Sequence, residues 1–130
     1  MKHQFMSARA AEPVGAYPHA RRVGNLLFLS GVGPRKRGTN EIPDGIEAQC
    51  RACFDNVRAV IEDSGSNWAD IVDVVVFLTN MKKDFPVFNT LWAEYFAGEG
   101  KPNPTRTTIE VGALPTAIDV ELKVIATIEG

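Results

Sequence analysis

Apolar and polar residues alternate most cleanly at the end of the chain. Ile118, Val120, Leu122, Val124, Ala126 and Ile128 share one parity, and Asp119, Glu121, Lys123 and Thr127 share the other. Side chains of a strand point to opposite faces in turn, so this stretch reads as a strand with one buried face. Residues 71–79 are β-branched or aromatic on both parities, with Val74 and Val76 against Val75 and Phe77, which predicts a central strand. Leu26-Leu27-Phe28-Leu29 is likewise apolar throughout. Gly24-Asn25 before it is a two-residue turn signal that joins it to a strand over residues 17–23. Residues 105–111 supply one more strand, expected to lie beside the last one.

Two stretches follow the helical period instead. Ile46, Cys50, Cys53, Phe54, Val57, Val60 and Ile61 form one stripe, with Asp44 expected as N-cap, Glu47 as its reciprocal partner and Ser64-Gly65-Ser66 as the stop. A second helix is expected from near Asp84, with Pro86 in its first turn and Phe88, Leu91, Trp92, Tyr95 and Phe96 on its apolar face. The order is β-β-α-β-α-β-β, an α+β domain with one sheet and two helices on one face. Two helices leave the other face uncovered, and a monomer would then expose apolar surface, so an oligomer is expected. Residues 1–12, small and polar, read as a flexible segment ahead of a single domain over residues 13–130.

The chain has 130 residues, is 45% hydrophobic and carries a net charge of -2, which fits one globular domain. It lacks the clustered basic excess of a nucleic-acid binder and any apolar run long enough to span a membrane. Cys50 and Cys53 have the Cys-x-x-Cys spacing of redox and zinc sites, but they fall on a helix stripe with no second ligand pair, so they read as packing groups. No metal is expected. The absence of a disulfide framework and of a secretion signal at residues 1–12 points to the cytoplasm.

The candidate chemistry lies near the C-terminus. Pro104-Thr105-Arg106 places a guanidinium at the start of a strand, and Glu121 sits on the polar side of the next one. A guanidinium fork matches a carboxylate with two parallel hydrogen bonds, and a partly desolvated glutamate can exchange protons near neutrality. If the two polar faces coincide, Arg106 lies about one cross-strand step from Glu121 or Lys123.

Several motifs together resemble the Rid (YjgF-type) family of reactive intermediate deaminases. They are Gly15-Ala16-Tyr17, Leu29-Ser30-Gly31, Asp55-Asn56-Val57, Asp70-Ile71-Val72 with Phe77-Leu78, Phe88-Asn89, Pro104-Thr105-Arg106 and Val120-Glu121-Leu122, in order across residues 13–129. The resemblance implies a chorismate-mutase-like fold, a homotrimer whose sheets close into a barrel, and active sites between subunits. It implies hydrolysis of 2-imino or 2-enamino acids to 2-oxo acids and ammonia, without a cofactor. On this resemblance Arg106 binds the substrate carboxylate and Glu121 activates water. Tyr17 lines the cleft, main-chain groups of Gly31 and Thr108 hold the substrate, and Asn89 contacts or supports it.

The chain departs from the common pattern at Thr108, where many members carry cysteine, at Pro18-His19, at Val32 and in the basic loop Arg35-Lys36-Arg37. His19 is a candidate proton shuttle or substrate contact. These departures resemble the 2-aminomuconate deaminase branch, in which His19 or the basic loop would hold a second carboxylate. A general 2-aminoacrylate-type deaminase and a non-catalytic trimer that binds 2-oxo acids are the competing expectations.

Overall fold

The computed structural model describes residues 3–129. Six strands, β1 (Gln4–Phe5), β2 (Ala20–Val23), β3 (Leu26–Leu29), β4 (Ile71–Leu78), β5 (Thr105–Glu110) and β6 (Val120–Thr127), form one sheet. Its order is β1-β2-β3-β6-β4-β5. All neighbours are antiparallel except β4 and β5, which run parallel and are linked by a helix, as parallel neighbours require. Both helices, α1 (Ile46–Asp63) and α2 (Met81–Phe96), pack on one face. Leu27, Leu29, Val74, Val76, Leu78, Leu122, Val124 and Ala126 are fully buried there, against Phe54, Val57, Phe88 and Phe96. The expected two layers are therefore present.

One expected neighbour relation is wrong. β5 and β6 do not form a hairpin; β4 lies between them. β4 is apolar on both parities and takes the centre, while the threonine-rich β5 is left on an edge. Residues 111–119 are long enough to carry the chain past β4.

Helix starts also moved. α1 begins after Gly45 at φ 88, without a side-chain cap, and Glu47 pairs with Arg51 at 3.3 Å rather than closing a box with Asp44. α2 begins one turn earlier than expected. The Asn80 side chain accepts from the Lys83 N–H at 3.1 Å, and Glu110 from β5 accepts from the Met81 N–H at 2.9 Å. Pro86 consequently lies inside the helix, past its first turn.

The segment expected to be loose is strapped to the domain. β1 pairs with β2, Ser7 Oγ donates to Asp63 at 2.7 Å, and Arg37 donates to the carbonyls of Ser7 and Ala10 at 3.1 and 2.7 Å. Cys50 and Cys53 are free and fully buried, as packing groups. Desolvation pushes the Cys50 thiol up to about 12.

Candidate active site

β6 aims Glu121 away from the helices, because its neighbours Val120 and Leu122 point into the core. Its carboxylate rests against Gly31, where an added Cβ would lie 2.5 Å from Oε2. A residue without a side chain is what permits this approach. The turn is held around it. Val32 and Leu122 exchange two backbone bonds of 2.9 Å, Ser30 N–H donates to the His19 carbonyl at 3.0 Å, and Lys123 Nζ donates to the Leu29 carbonyl. The Gly31 N–H has no partner among the described residues, nor has the Glu121 carboxylate. Burial with no compensating charge pushes the Glu121 carboxyl above its ordinary range.

A cavity of about 140 Å³ opens beside this pair, lined by Tyr17, Val60, Ile118 and the strap residues Ala10 to Val14. Tyr17 is 41% exposed, and its hydroxyl accepts from the Val14 N–H at 3.3 Å. His19 also lines the cavity, but both its nitrogens are engaged. Nδ1 accepts from the Ser7 N–H at 2.8 Å, so Nε2 carries the proton and donates to the Ala11 carbonyl at 2.7 Å. His19 is a fastener of the strap and has no free nitrogen for a shuttle.

Arg106 stands elsewhere. β5 pairs Arg106 with Val74 and Thr108 with Val76, both core residues of β4, so these side chains lie on the helix side of the sheet. The guanidinium carbon is 5.7, 5.6 and 5.0 Å from the ring centres of Phe85, Phe88 and Trp92. It makes no hydrogen bond or ion pair among the described residues. Thr108 Oγ1 is buried without a partner. Asn89, half-buried, follows Phe85 by one helical turn and so borders the same ring cluster.

The candidate residues thus fall into two groups. Tyr17, Gly31 and Glu121 line one cavity, with Glu121 on the open side of the sheet, while Arg106, Thr108 and Asn89 share the helix side at the edge. Glu121 aligns with Phe77 and Ile109 on the open face, and Arg106 aligns with Val74 and Val124 on the other. The expected cross-strand approach of Arg106 to Glu121 does not occur within one chain.

A sequence profile described as Endoribonuclease L-PSP matches residues 7–128. The chain belongs to the Rid family. A 2-iminobutanoate/2-iminopropanoate deaminase of Dermatophagoides farinae is 39% identical over 122 residues, covering 92% of this chain and 91% of its own. A RutC family protein of Pyrococcus horikoshii is 36% identical over 127 residues, covering 97% and 98%. The crystal structure of E. coli TdcF with bound serine superposes with a TM-score of 0.90 at 30% identity, covering 98% and 100% of the two chains.

In this Rid chain the basic loop serves the fold. Arg35 donates to the carbonyls of Thr39 and Glu12, Arg37 holds the strap, and Lys36 faces Glu41 at 3.9 Å. Phe88 and Trp92 of the ring cluster around Arg106 were legible as part of a helical stripe on α2, Phe85 was not, and a stripe of that kind reads as core. Arg51 also lies over a ring of α2, Tyr95, at 5.8 Å, but it ends on oxygens; the cluster around Arg106 differs in that its cation meets three rings and no oxygen. Among the described residues no three His, Cys, Asp or Glu side chains converge as metal ligands would, and no helix is long and apolar enough to cross a membrane.

Proposed function

We propose that this Rid protein hydrolyses short-chain 2-imino and 2-enamino carboxylates to 2-oxo acids and ammonia, in a site built by two copies of the chain. The observation that carries the reading is a pair of partly desolvated groups without hydrogen-bond or ion-pair partners among the described residues, Arg106 and Glu121, on opposite faces of one sheet. A substrate can touch both only if one copy presents Glu121 and an adjoining copy presents Arg106. The open face supports such an assembly. Phe28, Val75, Phe77 and Ile125 are only partly covered there, and Leu26 and Ile109 are 40% and 39% exposed. Three copies closing these faces into a barrel is the arrangement we propose. The deaminase among the relatives and the TdcF structure with a bound amino acid agree in ligand class.

The chemistry follows from the groups. Arg106 takes the carboxylate in its fork, which fixes C2 of the substrate. An enamine first gains a proton at C3 and becomes the protonated imine. Glu121 accepts a proton from water as the oxygen adds to C2, giving a carbinolamine. The nitrogen is then protonated, the C–N bond breaks with its electron pair going to nitrogen, and the C2 hydroxyl loses its proton to form the carbonyl. A carboxyl held above its ordinary range suits both the acceptance and the return of that proton. Gly31 packs against the carboxylate, and its N–H, without an acceptor among the described residues, is available to bind the developing oxygen. An imine is already electrophilic, so the reaction needs no electron sink.

The residues that pointed to a dicarboxylate, His19 and Arg35-Lys36-Arg37, are committed to the strap and its loop. No observation therefore favours 2-aminomuconate over a short monocarboxylate. The test is hydrolysis of 2-iminopropanoate, generated in place by an amino-acid oxidase, with 2-aminomuconate run beside it. Pyruvate release faster than the spontaneous rate is expected. Binding of pyruvate without such acceleration would mark a non-catalytic binder and overturn the reading.

Gly31→Ala is expected to lower kcat/KM by about a hundredfold, because the new methyl displaces the Glu121 carboxylate by on the order of 1 Å. The clash is with the far end of a flexible side chain, so Tm should stay near the parental value; a large fall in Tm would show a structural role for Gly31 instead.

A further inference from the structure

Four arginines are half-buried, and three of them end on oxygen. Arg22 donates to the Gly24 carbonyl, Arg35 to the carbonyls of Glu12 and Thr39, and Arg51 to Glu47, Glu94 and the Tyr95 hydroxyl. Arg106 ends on rings alone. The difference has a chemical meaning. A carboxylate partner would fix a guanidinium but also fill its fork, and an incoming substrate would have to displace it. An aromatic face attracts the cation without accepting its in-plane N–H groups, so the fork stays open.

Of the three rings, Trp92 is nearest to the guanidinium carbon, at 5.0 Å. Its own position is set from behind. Phe96 stacks on it at 4.0 Å and 16°, and Phe96 in turn meets Trp68 at 4.7 Å and Phe54 at 5.2 Å. Phe96 is fully buried and Phe54 nearly so, at 0% and 1% exposed. A column of rings therefore runs from the core of the domain to the guanidinium. The order of contacts, core to Phe96 to Trp92 to Arg106, transfers the rigidity of the core to a side chain that would otherwise sample many rotamers.

We propose that Trp92 is a positioning residue for the substrate carboxylate: its ring holds the Arg106 guanidinium in place and leaves the fork unoccupied. The proposal rests on the reading of Arg106 as the carboxylate anchor. Its effect is on binding. A guanidinium ordered before the substrate arrives does not lose its freedom at that moment, whereas one released from the ring does. The proton transfers at Glu121 do not involve Trp92 and should be unaffected.

The experiment measures the Kd for pyruvate by calorimetry, and KM and kcat for 2-iminopropanoate. Trp92→Leu is expected to raise Kd and KM about three- to tenfold while kcat changes less than about twofold. Trp92→Phe, which keeps a ring face, should recover most of the loss. Because Trp92→Leu could disturb the column, a second series leaves the shape intact. Mono-, di- and tetrafluorinated tryptophan placed at position 92 weaken the ring's attraction for a cation stepwise, and Kd should rise in the same order. A flat fluorine series, or Trp92→Leu binding pyruvate as tightly as the parent, overturns the proposal while the deaminase reading stands. A parent that neither binds pyruvate nor hydrolyses the imine overturns both.

Discussion

Arg106→Ala is expected to lower kcat/KM for 2-iminopropanoate by about a thousandfold. The parental side chain offers two parallel charge-assisted hydrogen bonds to the substrate carboxylate, each contributing about 2 kcal/mol, and every 1.4 kcal/mol is a factor of ten. The native guanidinium has no protein oxygen to lose, so its removal leaves no acid stranded in the fold. Stability should change little beyond the lost ring contacts. Arg106→Lys keeps the charge but supplies a single point donor, and should recover only part of the activity. The check is a paired measurement of pyruvate binding and of steady-state rates on each variant, with circular dichroism to confirm folding. Parental kcat/KM in Arg106→Ala would remove the carboxylate anchor from the mechanism.

Most of the secondary structure was legible because it follows from local period. The alternation of residues 118–128 and the stripe from Ile46 to Ile61 need no partner to be read, and the strand β6 and helix α1 lie where those patterns put them. Contributions from distant residues were not legible. α2 starts early with a local cap from Asn80 and a distant one from Glu110, a strand away, which accepts from its first N–H. The strap over residues 4–12 is held by Arg37 and His19 through bonds to carbonyls and an amide, which leave no trace in hydropathy.

The site shows the same division. Arg106, Gly31 and Glu121 could be named from short motifs, and the approach of Gly31 to Glu121 gives that pairing a physical basis. The relation between Arg106 and Glu121 could not be read, since it depends on sheet order. Neighbours in sequence pair by default, which would have put the two side chains together in one chain. With β4 inserted between their strands, parity sends one to each face. The place of one strand in the sheet therefore decides between the expected intramolecular site and the proposed one, in which a second copy takes part.

That consequence can be tested by mixing. Glu121→Gln is expected to lower kcat by about a hundredfold or more while pyruvate still binds, because the fork of Arg106 is untouched and only the proton acceptor is lost. Its pH profile should change too. On the proposed mechanism activity needs the ionised Glu121 carboxylate, and desolvation holds this carboxyl above the ordinary glutamate range, so kcat/KM should fall as pH drops through that raised range. The fall should be absent in Glu121→Gln. The same raised pKa means that ionised Glu121 weakens the fold as pH rises through it, so the glutamine variant should be no less stable at neutral pH. Arg106→Ala and Glu121→Gln, each nearly inactive, are then unfolded together in equal amounts and refolded. In a ring of copies, a site needs an intact Glu121 from one chain and an intact Arg106 from the next. Each is present with a chance of about one half, so about a quarter of the parental activity should return. If both groups served one chain's own site, every chain would carry a lesion in it and mixing would restore nothing. Activity that stays at the level of the separate variants would therefore place the two groups in one protomer's site and overturn the shared one.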